Sequence, residues 1–397
     1  MISVEEAKNT IKKNFTGRKI TEVKLIDACG LLAAEDLVSP IDFPPFDQSA
    51  MDGFAFSFDL WDKKSPLAII GEMQAGGNAT IQLQANQSIR IFTGALVPLG
   101  TDTIVIKENV LIENDSILIK DPNLQKGLNC RLKASQCKKG EKIMNKGSRL
   151  HPAGISFLAG LGISKLKIYD KPSVSIISTG KELTQSEEEL TVGKIYESNS
   201  IGLTAALHEC GIIPKSIDWV DDIPELIEQC IDKNLDVDLL ILTGGVSVGD
   251  YDFVPESLAK CGVQKLFHKV KQKPGKPLYF GKKNQTLVFG LPGNPSAVMT
   301  CFYQYILPLI SEFTGISYLS YKTLKLEKVY NKKAGLTHFL KGKTEGEKVK
   351  ILSGQESYLM NSFAYANCLV EIEESIETIN ENEEVKVCVI DSVSLFY

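Results

Sequence analysis

Three loops of this 397-residue chain carry residue types at spacings that suit the holding of an anion. In LLILTGGVSVGDYD at 239–252, an apolar run exits into Gly244, Gly245 and Gly249, which free the backbone to turn and to approach a ligand closely. Asp250 and Asp252 follow two apart, a spacing that puts both carboxylates on one side of an extended segment, and Pro255 opens a helix. A strand, a glycine loop, two acids and a helix start read as an anion or metal-nucleotide site. No Gly-Lys-Ser/Thr follows the glycines, so this is not a Walker A loop. Taken alone, the stretch also fits a tight turn with Asp252 capping the helix. In GLPGNP at 290–295, Asn294 is a good N-cap and Pro295 a good first helical residue. Pro292 and Pro295 stiffen that loop, so its amides, Gly293 included, meet a phosphate at little ordering cost. In KPGKP at 273–277, flanking prolines hold Lys276 extended beside Lys273, and both lysines can pair with an oxyanion. Three such loops close together in the chain favour a ligand site over three unrelated surface turns.

Further acids and hydroxyls sit at strand exits or turns. Glu182 follows Thr179-Gly180-Lys181, and Asp221-Asp222 precede a helix. In FDQSAMDGFA at 46–55, Asp47 and Asp52 flank a small-residue turn, and Gly53 allows close backbone approach. Thr93-Gly94 places a hydroxyl and a glycine at another strand exit.

The elements that must position these groups follow from periodicity. From Lys171 the pattern alternates strand and helix: SVSIIS, SNSIGLTAALHEC ending at Gly211, IPKSIDWV, PELIEQCIDK, LLIL, PESLAKC, TLVFG and LPGNPSAVMTCFYQYILPLI. This predicts a parallel sheet covered by helices, with ligands beyond the carboxyl ends of its strands. Ser3 and Glu6 form a capping box ahead of a first helix of about ten residues. A second helical segment is expected through LIDACGLLAAEDL, ending at Ser39-Pro40. Residues 66–120 read as an all-β module, and Pro152 opens a helix that returns to pack on the first helices. After Gly315, LKLEKVY, KVKIL, LVEIE and EVKVCVI read as a small barrel or sandwich.

Composition narrows the class. Hydrophobic content of 43% and charged content of 23% are those of an ordinary globular protein. A net charge of −5 with scattered basic residues argues against nucleic acid, and no apolar run approaches bilayer length. Nine cysteines without a CxxC pair, and an N-terminus without a signal-peptide core, point to reduced thiols in the cytoplasm. The four histidines lie far apart, without metal-ligand spacing.

Seven motifs together resemble the molybdopterin molybdenumtransferases, the MoeA proteins and the homologous E domain of gephyrin. They are PPFDQSAMDGFA at 44–55, RIFTGALVP at 90–98, TGKEL at 179–183, IYESNS at 195–200, TGGVSVGDYDFV at 243–254, KPGKP at 273–277 and GLPGNPSA at 290–297. The resemblance spans essentially the whole chain. It implies an α/β multidomain protein with a discontinuous helical domain (1–42 and 140–169), a β-rich domain (43–139), a molybdopterin-binding parallel-sheet α/β domain (170–317) and a C-terminal β-barrel (318–397). It implies a homodimer with its active cleft between subunits, supplied by a molybdopterin adenylyltransferase. It also implies the reaction, in which molybdate is added to adenylylated molybdopterin and AMP is released with Mg²⁺.

The same resemblance distributes roles. Asp52, Thr93, Glu182, Asp221 and Asp252 carry the chemistry, and Asp52, Glu182, Asp250 and Asp252 face the cation. Gly244, Gly245, Ser247, Gly249 and Asp250 belong to the binding surface. So do Lys273, Lys276, the Pro292-Gly293-Asn294-Pro295 loop and Ser357 of GQESYLMNS. Anionic substrates would be held by loop amides and lysines, with the carboxylates acting through the cation. The chain departs from the family at Ala134-Ser135-Gln136, where Gly-Glu-Asp is usual, at Lys181 for an aspartate, and at Lys341 for an arginine. A non-catalytic molybdopterin-binding scaffold on the same fold, and a nucleotide pyrophosphatase, are the competing readings.

Overall fold

Three strands, Val174–Thr179, Leu239–Thr243 and Thr286–Leu291, are buried at every residue. Strands of that kind must be covered on both faces. In this computed structural model, which describes residues 1–78, 81–247 and 252–390, they form the middle of a six-stranded sheet. Ser216–Val220, Val174–Thr179, Leu239–Thr243 and Thr286–Leu291 run parallel in that order. Tyr279–Lys283 and Gln264–His268 extend the sheet antiparallel, a hairpin that the strand–helix alternation does not signal. The alternation of side chains divides the core in two. Leu239 and Ile241 join Leu203, Leu207 and Val298 in one cluster, whereas Leu240 and Leu242 join Ile227, Ile231 and Leu258 in another. The helices Asn199–Glu209 and Pro295–Cys301 thus cover one face, and Pro224–Asn234 and Val254–Lys260 the other.

By internal packing the chain divides into two units, Met1–Thr21 with Tyr169–Tyr397, and Glu22–Ile168. The first helix, Val4–Lys13, has the expected capping box. Its Val4, Ala7 and Ile11 join the core of the α/β sheet rather than that of the later N-terminal segments. After Gly315, the strands Ser320–Leu326, Lys348–Ile351, Thr337–Glu345, Cys368–Ile372 and Glu384–Val389 each pair with two others of the five and close a five-stranded barrel. The barrel-or-sandwich alternative thereby resolves to a barrel.

Inside that barrel, His338 shares a 3.0 Å hydrogen bond with the Tyr330 hydroxyl. Burial, then the charges of Lys332 and Lys273, push its pKa from 6.5 down to about 4. The folded state therefore resists a proton that the unfolded chain accepts. Stability should be unaffected above pH 6.5 and should fall as the pH drops from 6.5 toward 4. The loss, discounted for partial solvation, is about 1–2 kcal/mol. Urea unfolding of the wild type and His338→Phe across that window checks this; equal slopes would remove His338 as the cause.

In the unit Glu22–Ile168, strands Thr103–Ile106, Gly53–Phe56, Gln87–Ile91, Leu67–Met73, Ser116–Ile119 and Val110–Glu113 lie side by side in an open sheet. Gly53 is needed there: a Cβ would lie 2.0 Å from the Val105 carbonyl oxygen of the neighbouring strand. The second helix expected through LIDACGLLAAEDL does not form. Only the 3₁₀ turn Leu25–Ala28 is helical, and Gly30 follows at φ +85°. Leu32 and Ala33 instead make β-bridges to Arg149 and Ile168. The apolar spacing serves a strand-like pairing, with Leu25, Ala33 and Leu37 packed on Leu150, Leu158 and Ile168. The Pro152–Gly160 helix returns to this group, as expected.

Candidate functional site

The parallel strands bring four loops to one edge of the sheet, the edge where α/β proteins bind ligands. Gly244 turns at φ +92° and Gly245 at φ +61°. A Cβ on Gly244 would lie 2.3 Å from the Thr179 carbonyl oxygen. The glycine loop therefore packs on the backbone that begins TGKEL. The buried Thr179 hydroxyl beneath it has no hydrogen-bond partner among the described residues. The Gly244 amide donates to the Leu291 carbonyl at 3.2 Å, and the Thr243 hydroxyl to the Pro292 carbonyl at 3.2 Å. The TGG and PGN loops are thus stitched together.

Asn199 completes the stitch. Its side-chain amide donates to Thr243 Oγ1 at 2.9 Å and to the Gly293 carbonyl at 2.8 Å. The start of its helix is tied to the neighbouring strand by Glu197, which accepts from the Ser178 hydroxyl at 3.0 Å and the Ser200 amide at 2.9 Å. Sequence reasoning takes IYESNS only as a motif and gives Asn199 no role; its place at a helix start beside a strand end is the available signal. Asp222 is missed in the same way. Its carboxylate accepts from the Lys181 amide at 3.2 Å, while Asp221 is exposed. Glu182 is exposed, with its carboxylate folded against Gly180.

Asn294 is the N-cap of Pro295–Cys301, but its side chain does not cap the helix. It donates instead to Ser357 Oγ at 2.9 Å, which joins two residues expected at the site. The Ser357 loop is itself held by Lys341, a residue only 2% exposed whose ammonium donates to the carbonyls of Leu359 at 2.9 Å and Glu356 at 3.3 Å. Lys273 ends the short strand Gln272–Lys273, and Lys276 lies in a turn rather than the extended segment expected between its prolines; both are exposed. Asp252 does not cap the following helix, whose N-cap is Phe253. Ser247 ends the described part of the glycine loop; Gly249 and Asp250 lie outside the described residues.

A second group of expected residues lies in the unit Glu22–Ile168. Asp52 Oδ1 accepts from the Thr93 amide at 2.9 Å and the Thr93 hydroxyl at 2.8 Å. These bonds, the backbone one first, hold the Asp52 carboxyl below the usual carboxylate range, with Lys107 and Arg90 adding to the effect. Asp52 is therefore an ionised oxygen donor at neutral pH. It lines a cleft of about 840 Å³ together with Ile69, Arg90, Phe92 and Lys107. Gln136 is exposed, and its backbone N–H donates to the Phe43 carbonyl at 2.9 Å. Ala134 adopts φ +61°, a left-handed conformation that favours glycine.

Among the described residues no three His, Cys, Asp or Glu side chains gather as a metal cluster. Mg²⁺ needs only one or two carboxylates beside substrate phosphates and water, and the donors here are hard oxygens of the kind it takes. In the α/β domain Glu182 and Asp252 are the described carboxylates of that kind, and in the unit Glu22–Ile168 it is Asp52.

Comparison with known proteins covers nearly the whole chain. Residues 2–162 match the MoeA N-terminal region (domain I and II), residues 175–312 a probable molybdopterin binding domain, and residues 323–390 the MoeA C-terminal region (domain IV). The chain is 31% identical over 398 residues to a molybdopterin molybdenumtransferase of Haemophilus influenzae, covering 98% of each. It is 36% identical over 318 residues to one of Nostoc, covering 78% of this chain and 73% of the relative. A crystal structure of a molybdopterin biosynthesis MoeA protein from Pyrococcus horikoshii superposes with a TM-score of 0.83 at 31% identity, over 98% of this chain and 99% of that one. With loops, strands and matches in agreement from one end to the other, the chain belongs to the molybdopterin molybdenumtransferase (MoeA) family.

Proposed function

We propose that this protein inserts molybdenum in molybdenum cofactor biosynthesis, taking molybdate and adenylylated molybdopterin and releasing AMP with the help of Mg²⁺. The observation that carries the reading is the joining of the TGG, PGN and Ser357 loops at the carboxyl edge of the sheet through Asn199, Thr243 and Asn294. Loop amides and the nearby lysines suit phosphate and pterin oxygens. When bound, Mg²⁺ neutralises phosphate charge; Glu182 and Asp252 are the side chains of the α/β domain that would hold it, and Asp52 is the candidate oxygen donor of the unit Glu22–Ile168. The exposed Lys273 and Lys276 would bind and orient the anionic substrate, and the Thr93 bonds keep Asp52 ionised. The reading includes a homodimer with its cleft between subunits and an adenylyltransferase upstream; nine unpaired cysteines fit a reducing cytoplasm.

The expected result with purified protein is AMP release that needs both a divalent cation and molybdate. Quantifying AMP with each omitted in turn checks it. Release that is indifferent to molybdate would mean a nucleotide pyrophosphatase, and substrate binding without release a scaffold.

A further inference from the structure

We propose that His268 is a positioning residue that aims the Ser247 backbone amide of the glycine loop at the anionic substrate. His268 ends the strand Gln264–His268, and its Nε2 lies 2.8 Å from the carbonyl oxygen of Val246. A carbonyl only accepts, so Nε2 carries the hydrogen and donates. The peptide unit is planar and trans, so its C=O and the following N–H point in opposite directions. Fixing the Val246 carbonyl toward His268 therefore directs the Ser247 N–H the other way. Val246 is 1% exposed and Ser247 is exposed, so the anchor is in the core and the donor is at the surface.

The ring is itself held. It meets Tyr279 edge-on with centroids 5.9 Å apart, and Tyr279 is fully buried. From His268 the chain runs directly into the lysine loop, which is closed by Lys269 N–H donating to the Leu278 carbonyl at 2.9 Å and Val270 N–H to the Lys276 carbonyl at 2.9 Å. One side chain thus couples the glycine loop to the segment that carries Lys273 and Lys276. Neither a helix cap nor a sheet ladder requires this bond, since Val246 lies beyond the Leu239–Thr243 strand.

The inference rests on the reading of the glycine loop as substrate-binding, and two variants separate the two claims. His268→Gln retains an N–H donor at similar reach. His268→Phe keeps a ring against Tyr279 and removes the donor. In ligand-free protein, the NMR order parameter of the Ser247 amide should fall in His268→Phe and stay near wild type in His268→Gln. The KM for adenylylated molybdopterin should rise about fivefold to tenfold in His268→Phe with kcat little changed, the size expected for one lost orienting hydrogen bond. An unchanged order parameter in His268→Phe, or an equal fall in both variants, would overturn the positioning role. A lower order parameter in His268→Phe alone with an unchanged KM would uphold the positioning and overturn the loop as a substrate site.

Discussion

Gly244→Ala should abolish most AMP release and destabilise the protein. Gly244 holds φ +92°, where a side chain costs about 1–2 kcal/mol. The new methyl would also meet the Thr179 carbonyl oxygen at 2.3 Å and its hydroxyl at 2.8 Å. Neither contact can be relieved by a flexible side-chain end, because one is backbone and the other belongs to a residue 3% exposed. The loop must move, and overpacking of this kind costs about 1–3 kcal/mol more. A displacement of about 1 Å at a binding loop lowers turnover about 100-fold. Gly293→Ala is the control. Its methyl would approach only the Gly244 Cα, at 3.8 Å, and its φ lies outside the left-handed region. Urea unfolding should show a loss for Gly244→Ala and none for Gly293→Ala. Loss of AMP release in Gly293→Ala with full stability would then report a ligand at that loop. Wild-type stability in Gly244→Ala would mean that the glycine loop does not pack against the Thr179 backbone.

The parallel strands and their helices were legible because strands buried on both faces read as unbroken apolar runs between glycine loops. Gly53 was legible for a related reason: glycine between Asp52 and apolar residues signalled a close approach, and Val105 supplies it. What could not be read was set by distant partners. Residues 25–37 carry helix-like spacing, yet Ala33 bridges to Ile168 at the far end of the same unit. Thr337–Glu345, the longest strand of the barrel, was missed because its centre is Lys341-Gly342, which breaks the apolar pattern. Gly342 fits because a Cβ would press on Cys368, Val370 and Val349. Asn199 and His268 act through backbone carbonyls 94 and 22 residues away, and no local spacing encodes such a bond. Asn294 shows the converse. Its position as N-cap was read correctly, but its side chain is claimed by Ser357.

Lys341→Met should destabilise the protein by about 2 kcal/mol and weaken turnover. Burial of Lys341, the larger influence, lowers its pKa from 10.5 while the Glu356 charge raises it. Its ammonium serves the carbonyls of Glu356 and Leu359, and its backbone is clasped by Gln355, whose side chain accepts from Lys341 N and donates to Lys341 O, each at 2.9 Å. Methionine has nearly the same length and fills the same channel, so packing is conserved. What is lost is the donor, which leaves two carbonyls without it at about 1–3 kcal/mol for each group that stays buried. Relief from burying a charge offsets part of that cost. The loop between Glu356 and Leu359 would then loosen, and with it the Ser357 hydroxyl that Asn294 engages at 2.9 Å. Lys341→Arg keeps a cation and several donors and should retain most of the stability. The measurements are urea unfolding and AMP release for the two variants. A Lys341→Met protein as stable as wild type would mean that burying the ammonium costs as much as its two hydrogen bonds return. Full turnover in that variant would mean that Ser357 is held in place by Asn294 alone.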